Sequence, residues 1–248
     1  MRRLSLLVIG LALLAATACT DSPDSKQTLT VLAASSLSGV LEPLGTELAR
    51  SHPGLKVRVS YAGSPALVAQ VRGGAPADVI VTASPKSLAP LVTAGLVGSP
   101  RTVASNTAVL VVPPSNPGSV RGLADLAQHR LRIALCDPSV PCGSVAQQTL
   151  TAAHVTADPD TLAPDVKTVL RLVQTGEADA GIVYRSDLVG AGARVREVPL
   201  PDGAAASTSY PAAVVTASKR KDLASEYVDL LLGQSGRTAL TRAGFALP

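Results

Sequence analysis

Hydroxyl side chains recur at corners where apolar, strand-like runs give way to helical spacing. Ser35 and Ser36 follow the run 29–34, Ser64 follows 55–61, and Gly143 and Ser144 open the helix after 131–135. A lone serine at such a corner is an ordinary helix N-cap, worth about 0.5–2 kcal/mol to its own helix. Repetition at one edge of open sheets offers more. It gathers free backbone N–H groups and the positive ends of helix dipoles. The gathering falls at the carboxyl ends of strands, where α/β sheets take their ligands. Such a set suits a small anion, held by neutral donors without Arg or Lys.

Other chemistries find little to build on. The nearest approach to a G-x-S-x-G nucleophile elbow, Gly233-Gln234-Ser235-Gly236, lacks the spacing. No P-loop, no strand-linked G-x-G-x-x-G and no H-E-x-x-H occurs. His52, His129 and His154 stand in polar loop or helix-end contexts and read as solvated. Asp125, Asp165, Glu177 and Asp179 show no acid–base pairing. Three Cys and three His are too few and too scattered for a zinc cluster. With one Phe, four Tyr and no Trp, the chain can hardly build a base-stacking platform. Catalysis, structural metal, bound cofactor and nucleic acid are therefore all disfavoured.

The first residues read as targeting, not fold. Arg2 and Arg3 precede an apolar run over 4–16, and Ala16-Thr17-Ala18 leads to Cys19. That is the pattern of an export signal over 1–18, too short for a stable membrane span. Cys19 directly after these small residues resembles a bacterial lipobox, with lipid added to its thiol, although Ala16 stands where Leu is usual. Residues 19–27 are polar and read as a tether. Cleavage would remove two basic residues and no acidic ones from a net charge of +4, leaving too small an excess for a polyanion footprint. The expected location is the outer face of the cell membrane, lipid-anchored.

The elements that must position the serines follow from periodicity. Hydrophobic residues make up 46% of the 248 and charged residues 16%, enough apolar matter for a sizeable core. Strand-like runs fall at 29–34, 55–61, 78–82, 108–112, 131–135, 180–184, 195–198 and 212–216. Helical spacing occurs at Leu37, Val40, Leu41, Leu44 and Leu48, with Pro43 inside it predicting a kink or a late start. Leu67, Val68 and Val71 mark a second helix, and further helices are expected over 86–94, 143–153, 166–174, 223–232 and 238–243. Two separate rounds of strand–helix alternation predict two α/β lobes in place of one long sheet.

A set of ordered blocks narrows the reading. Ala33-Ala34-Ser35-Ser36-Leu37, Tyr61-Ala62-Gly63-Ser64-Pro65-Ala66-Leu67 and Gly74-Ala75-Pro76-Ala77-Asp78-Val79 stand in the first half. Asp137-Pro138, Val140-Pro141 and Gly143 follow, then Gly181-Ile182-Val183-Tyr184-Arg185-Ser186-Asp187, Tyr210-Pro211 and Gly244-Phe245. In this order they resemble the periplasmic molybdate-binding proteins of ABC transporters, the ModA family. The resemblance spans roughly 29–245.

It implies a two-lobed periplasmic-binding-protein fold of type II, with lobes joined by two crossover strands. Lobe 1 would comprise 28–107 plus 212–248, and lobe 2 108–211. It also implies a tetrahedral dianion, molybdate or tungstate, in the cleft. Ser36 and Ser64 would give hydroxyl and N–H donors, Cys142 and Val166 backbone N–H groups, and Tyr184 its phenol. The metal would be held through its oxyanion, not by direct coordination. The partner would be a membrane permease, the protein a monomer, and no reaction would be catalysed.

Two departures stand out. Pro65 replaces a usual Ser, and Cys142 a usual Ala, close to Cys136. In an exported chain, a Cys136–Cys142 disulfide is the natural expectation. Another oxyanion such as sulfate or phosphate, a hydrolase built on Ser64 or Cys142, and a sensor or docking lipoprotein remain alternatives.

Overall fold

A computed structural model describes residues 28–248. The expected export signal, the tether and the Cys19 lipidation site lie outside these described residues. In chain order the strands are β1 (Thr28–Ala34), β2 (Lys56–Ala62), β3 (Val79–Val81), β4 (Arg101–Val112), β5 (Ile133–Cys136), β6 (Thr161–Ala163), β7 (Ala180–Tyr184), β8 (Arg196–Val198) and β9 (Ser207–Val214). The helices are α1 (Glu42–Ser51), α2 (Ser64–Arg72), α3 (Pro85–Thr93), α4 (Pro141–Ala152), α5 (Val166–Gln174), α6 (Arg185–Ala191), α7 (Lys221–Leu232) and α8 (Gln234–Arg242).

The strands run in the order β2-β1-β3-β9-β4-β7-β5-β6, with β8 on β4. Two strands turn this series into two sheets. The first part of β4, from Arg101 to Thr107, pairs antiparallel with β9. Its second part, from Ala108 to Val111, pairs with β7 instead. β9 brings the chain back and pairs with β3. Thus β4 leaves one sheet for the other, and β9 returns. β1 is parallel to both β2 and β3, and β5 is parallel to both β6 and β7.

Each lobe buries its own apolar matter. One face of the first sheet packs Leu37, Leu41 and Leu48 against Tyr227 and Leu231, and the other packs Leu67, Ile80, Leu88 and Leu91. The second lobe centres on Leu110, Ile133, Val169, Val173 and Ile182. Burying one such side chain is worth about 1.5–3 kcal/mol, so each lobe has its own reason to hold together.

Pro43 sits in the first turn of α1, which begins only at Glu42 after a 3-10 turn at Ser35–Leu37. A proline there gives up an N–H that had no intrahelical partner anyway. β4 begins at Arg101, well before the run 108–112, and β9 begins at Ser207 rather than at 212. The added stretches cross between lobes and carry Thr, Ser and Asn in place of apolar alternation. β6 and α6 answer to no expected element; the first has three residues and the second seven. Asp78 of the Gly-Ala-Pro-Ala-Asp block is structural. It accepts from Thr30 N at 2.7 Å and from Ser218 Oγ at 2.6 Å, tying β1 to the turn after β9.

Candidate functional site

Ser36, Ser64, Cys142, Val166 and Tyr184 all line one cavity of about 20 Å³ between the lobes. That is room for a small guest only. Two wider grooves flank it. One, of about 480 Å³, shares Val140 and Pro141 and is lined by Pro65; the other, of about 730 Å³, shares Ser36 and is lined by Lys167, Arg194 and Arg242.

Ser36 lies in the 3-10 turn after β1, buried, with its Oγ 2.8 Å from Tyr210 Oη. Ser64 is the first residue of α2, and its Oγ accepts from Ala83 N at 3.0 Å. An N–H can only donate, so the Ser64 hydroxyl hydrogen remains free to donate elsewhere. Pro65 occupies the second position of α2, where the fold tolerates it, and faces the outer groove.

Cys142 is the second residue of α4, joined by a disulfide to Cys136 across a Cα–Cα distance of 5.7 Å. The loop between them is wound tightly against the helix. A Cβ on Gly143 would lie 1.9 Å from Asp137 O and 2.8 Å from Cys136 O, so only glycine fits. Ser144 N donates to Val140 O, the first bond inside the helix. The Cys142 and Gly143 N–H groups precede it and have no intrahelical carbonyl to reach.

Val166 opens α5 behind Asp165, whose carboxylate caps the helix by accepting from Thr168 N at 3.0 Å. The Val166 side chain is part of the second lobe's core, while its N–H has no acceptor within the helix. Among the lining residues there is no Lys or Arg. The one carboxylate, Asp165, accepts from Thr168 N through its Oδ1.

Tyr184 ends β7 at 2% exposure, and its phenol oxygen has no hydrogen-bond partner among the described residues. Burial, then the neighbouring Tyr210 and Asp187, push its pKa well above the ordinary tyrosine value. It therefore stays protonated and is a donor. Its backbone N–H is held by Asp187 Oδ2 at 3.2 Å, and Asp187 Oδ1 lies 2.8 Å from Lys167 Nζ. Burial raises the Asp187 carboxyl pKa, against the pull of Lys167.

The lobes meet beside the cavity. A Cβ on Gly63, just before α2, would lie 2.5 Å from Pro164 O, just before α5. The two helix starts are thus in direct contact across the cleft. Neither candidate nucleophile is set up to react. The Cys142 sulfur is bonded to Cys136, and the Ser64 hydroxyl meets an N–H where a nucleophile needs a base. Two buried polar residues beside the site, Asn106 and Tyr210, were not foreseen as site residues. In the sequence Tyr210 belongs only to the Tyr210-Pro211 block, and Asn106 precedes the apolar run 108–112 with nothing to mark it.

Two α/β lobes joined by two crossing strands, with helix starts converging on the cavity between them, define a periplasmic-binding-protein fold of type II. Residues 29–246 match the family described as bacterial extracellular solute-binding proteins, and the chain belongs to that family. The molybdate-binding protein ModA of Mycobacterium tuberculosis H37Rv is 34% identical, over 98% of this chain and 95% of its own. ModA of Escherichia coli is 31% identical, over 88% of this chain and 89% of its own. Among solved structures, the periplasmic molybdate-binding protein of Azotobacter vinelandii superposes with a TM-score of 0.76 at 27% identity, covering 89% of this chain and 99% of that one. The sulfate-binding protein SubI of M. tuberculosis shares the fold at a TM-score of 0.71 and 20% identity, covering 88% of this chain and 86% of its own.

Proposed function

We propose that this chain captures molybdate, and tungstate equally, and delivers it to the permease of an ABC transporter. The observation that carries the reading is the Tyr184 phenol: buried, protonated and unpartnered at the wall of a cavity lined by helix starts from both lobes. A buried polar group left unpaired costs about 1–3 kcal/mol, so it calls for a partner the protein itself does not supply. Ser36, Ser64 and Tyr184 would donate hydroxyl hydrogens, and Cys142 and Val166 backbone N–H groups.

A lining made of donors suits an oxyanion that carries no proton at neutral pH. Phosphate keeps a proton near neutral pH and is best held with a carboxylate acceptor, which is not among the five residues assigned to the guest. Sulfate is smaller, and fixed donors would reach it poorly. Each charge-assisted bond contributes about 1.5–3 kcal/mol. A handful therefore supports sub-micromolar affinity after ordering and desolvation are deducted. Donors come from 28–107 with 212–248 on one side and from 108–211 on the other, so binding closes one lobe on the other and the permease reads the closed form. The protein acts as a monomer, anchored outside the membrane by lipid on Cys19.

Titration calorimetry of the mature chain against molybdate, tungstate, sulfate and phosphate tests this. Sub-micromolar binding of the first two, with the others much weaker, is expected. Absence of molybdate binding, or tighter binding of sulfate, overturns it.

A further inference from the structure

We propose that Asn106 and Tyr210 are positioning residues that force the Ser36 hydroxyl to donate into the cavity; this rests on the anion-capture reading above. Neither is a lining residue of the cavity. They lie on the two crossover strands, Asn106 on β4 and Tyr210 on β9, both fully buried.

The direction of every hydrogen in the chain follows from groups that can only donate. Asn106 Oδ1 receives Thr107 N at 3.1 Å and Ser186 N at 3.4 Å. Two backbone N–H groups on one oxygen fix which end of the amide is which. Asn106 Nδ2 must then donate, and its partners are Ser186 Oγ at 2.7 Å and Tyr210 Oη at 3.5 Å. Tyr210 therefore accepts from Asn106 and has one hydrogen to place. The acceptor within reach is Ser36 Oγ, 2.8 Å away. Burial raises the Tyr210 phenol's pKa, so that hydrogen is present at any working pH. Ser36, having accepted, turns its own hydrogen toward the cavity.

The Tyr210 ring is held for this task by edge contacts with Tyr184 and Phe245, at centroid separations of 6.3 and 5.3 Å. Ser186 begins the link in the second lobe and Ser36 ends it in the first. The chain of bonds thus crosses the hinge, and Ser36 is aimed only while the lobes keep this relation.

A double-mutant cycle on molybdate affinity tests the proposal, using Ser36→Ala, Tyr210→Phe and the pair. Tyr210→Phe keeps the ring contacts and removes only the directing hydroxyl. It is expected to weaken binding about three- to tenfold, and Ser36→Ala about tenfold or more, because a charge-assisted bond is misaligned or lost. The pair is expected to bind no more weakly than Ser36→Ala alone, since Tyr210 acts through Ser36. Asn106→Ala, placed in the same cycle, should show the same dependence on Ser36. A purely structural role would give losses that add. Unchanged affinity in Tyr210→Phe, or additive losses, overturns the inference while leaving anion capture intact. A wild-type chain that ignores molybdate overturns both.

Discussion

Tyr184→Phe should move two measurements in opposite directions. The phenol oxygen is buried without a partner. In the ligand-free protein its removal discards an unsatisfied group whose burial costs up to about 1–3 kcal/mol. Water entering the cavity offsets part of that cost, so a gain of zero to about 1 kcal/mol is expected. For a chain of this size, 1 kcal/mol shifts the melting temperature by about 2–4 °C. With molybdate bound, the same change deletes a charge-assisted hydrogen bond of about 1.5–3 kcal/mol, which raises Kd roughly 10- to 150-fold. Thermal melts with and without molybdate, alongside calorimetry, read both effects. The variant should melt at or above the wild-type temperature when empty, and gain less from ligand. A lower melting temperature when empty, together with unchanged affinity, would show that the phenol is bonded inside the protein and does not face the guest.

Reducing the Cys136–Cys142 bond, or replacing both residues by Ser, should cost about 2 kcal/mol by loop-closure entropy and lower the melting temperature by about 4–8 °C. Affinity should fall with it, because the loop sets the Cys142 N–H; equal affinity in both redox states separates the disulfide from the site. Gly143→Ala should abolish binding even where the chain still folds, since its Cβ would meet Asp137 O at 1.9 Å; circular dichroism and calorimetry together check this. Acid should unmask Asp179, whose pKa is held down chiefly by the hydrogen bond from Arg132. Its contribution is complete above the unfolded carboxylate value near 3.9 and is lost as pH falls through the lower folded value. Asp179→Asn should accordingly flatten the loss of stability measured by denaturant melts below about pH 4, and an unaltered acid limb refutes that.

The sheet strands and the amphipathic helices were legible because apolar periodicity marks them: α5 and β7 fall where 166–174 and 180–184 were expected. The crossovers were not. In the span from Arg101 to Thr107 the strand is held by β9 and by its place between lobes, with Ser105, Asn106 and Thr107 breaking any apolar rhythm. β6 exposes two of its three residues, and α6 buries Ser186 and Asp187 where apolar residues would mark a helix. The corner serines and Tyr184 could be read as a donor set, Tyr184 through its resemblance block. The roles of Asn106 and Tyr210 could not, because they arise from the contacts of Tyr210 with Asn106, 104 positions away, and with Ser36, 174 positions away.

Anomalous diffraction at the molybdenum edge, from crystals grown with molybdate, locates the guest directly. A single strong peak is predicted in the cavity between the lobes. The oxygens should sit within about 2.5–3.0 Å of the hydroxyls of Ser36, Ser64 and Tyr184 and the N–H groups of Cys142 and Val166. A peak in one of the flanking grooves, or none at all at saturating molybdate, contradicts capture between the lobes.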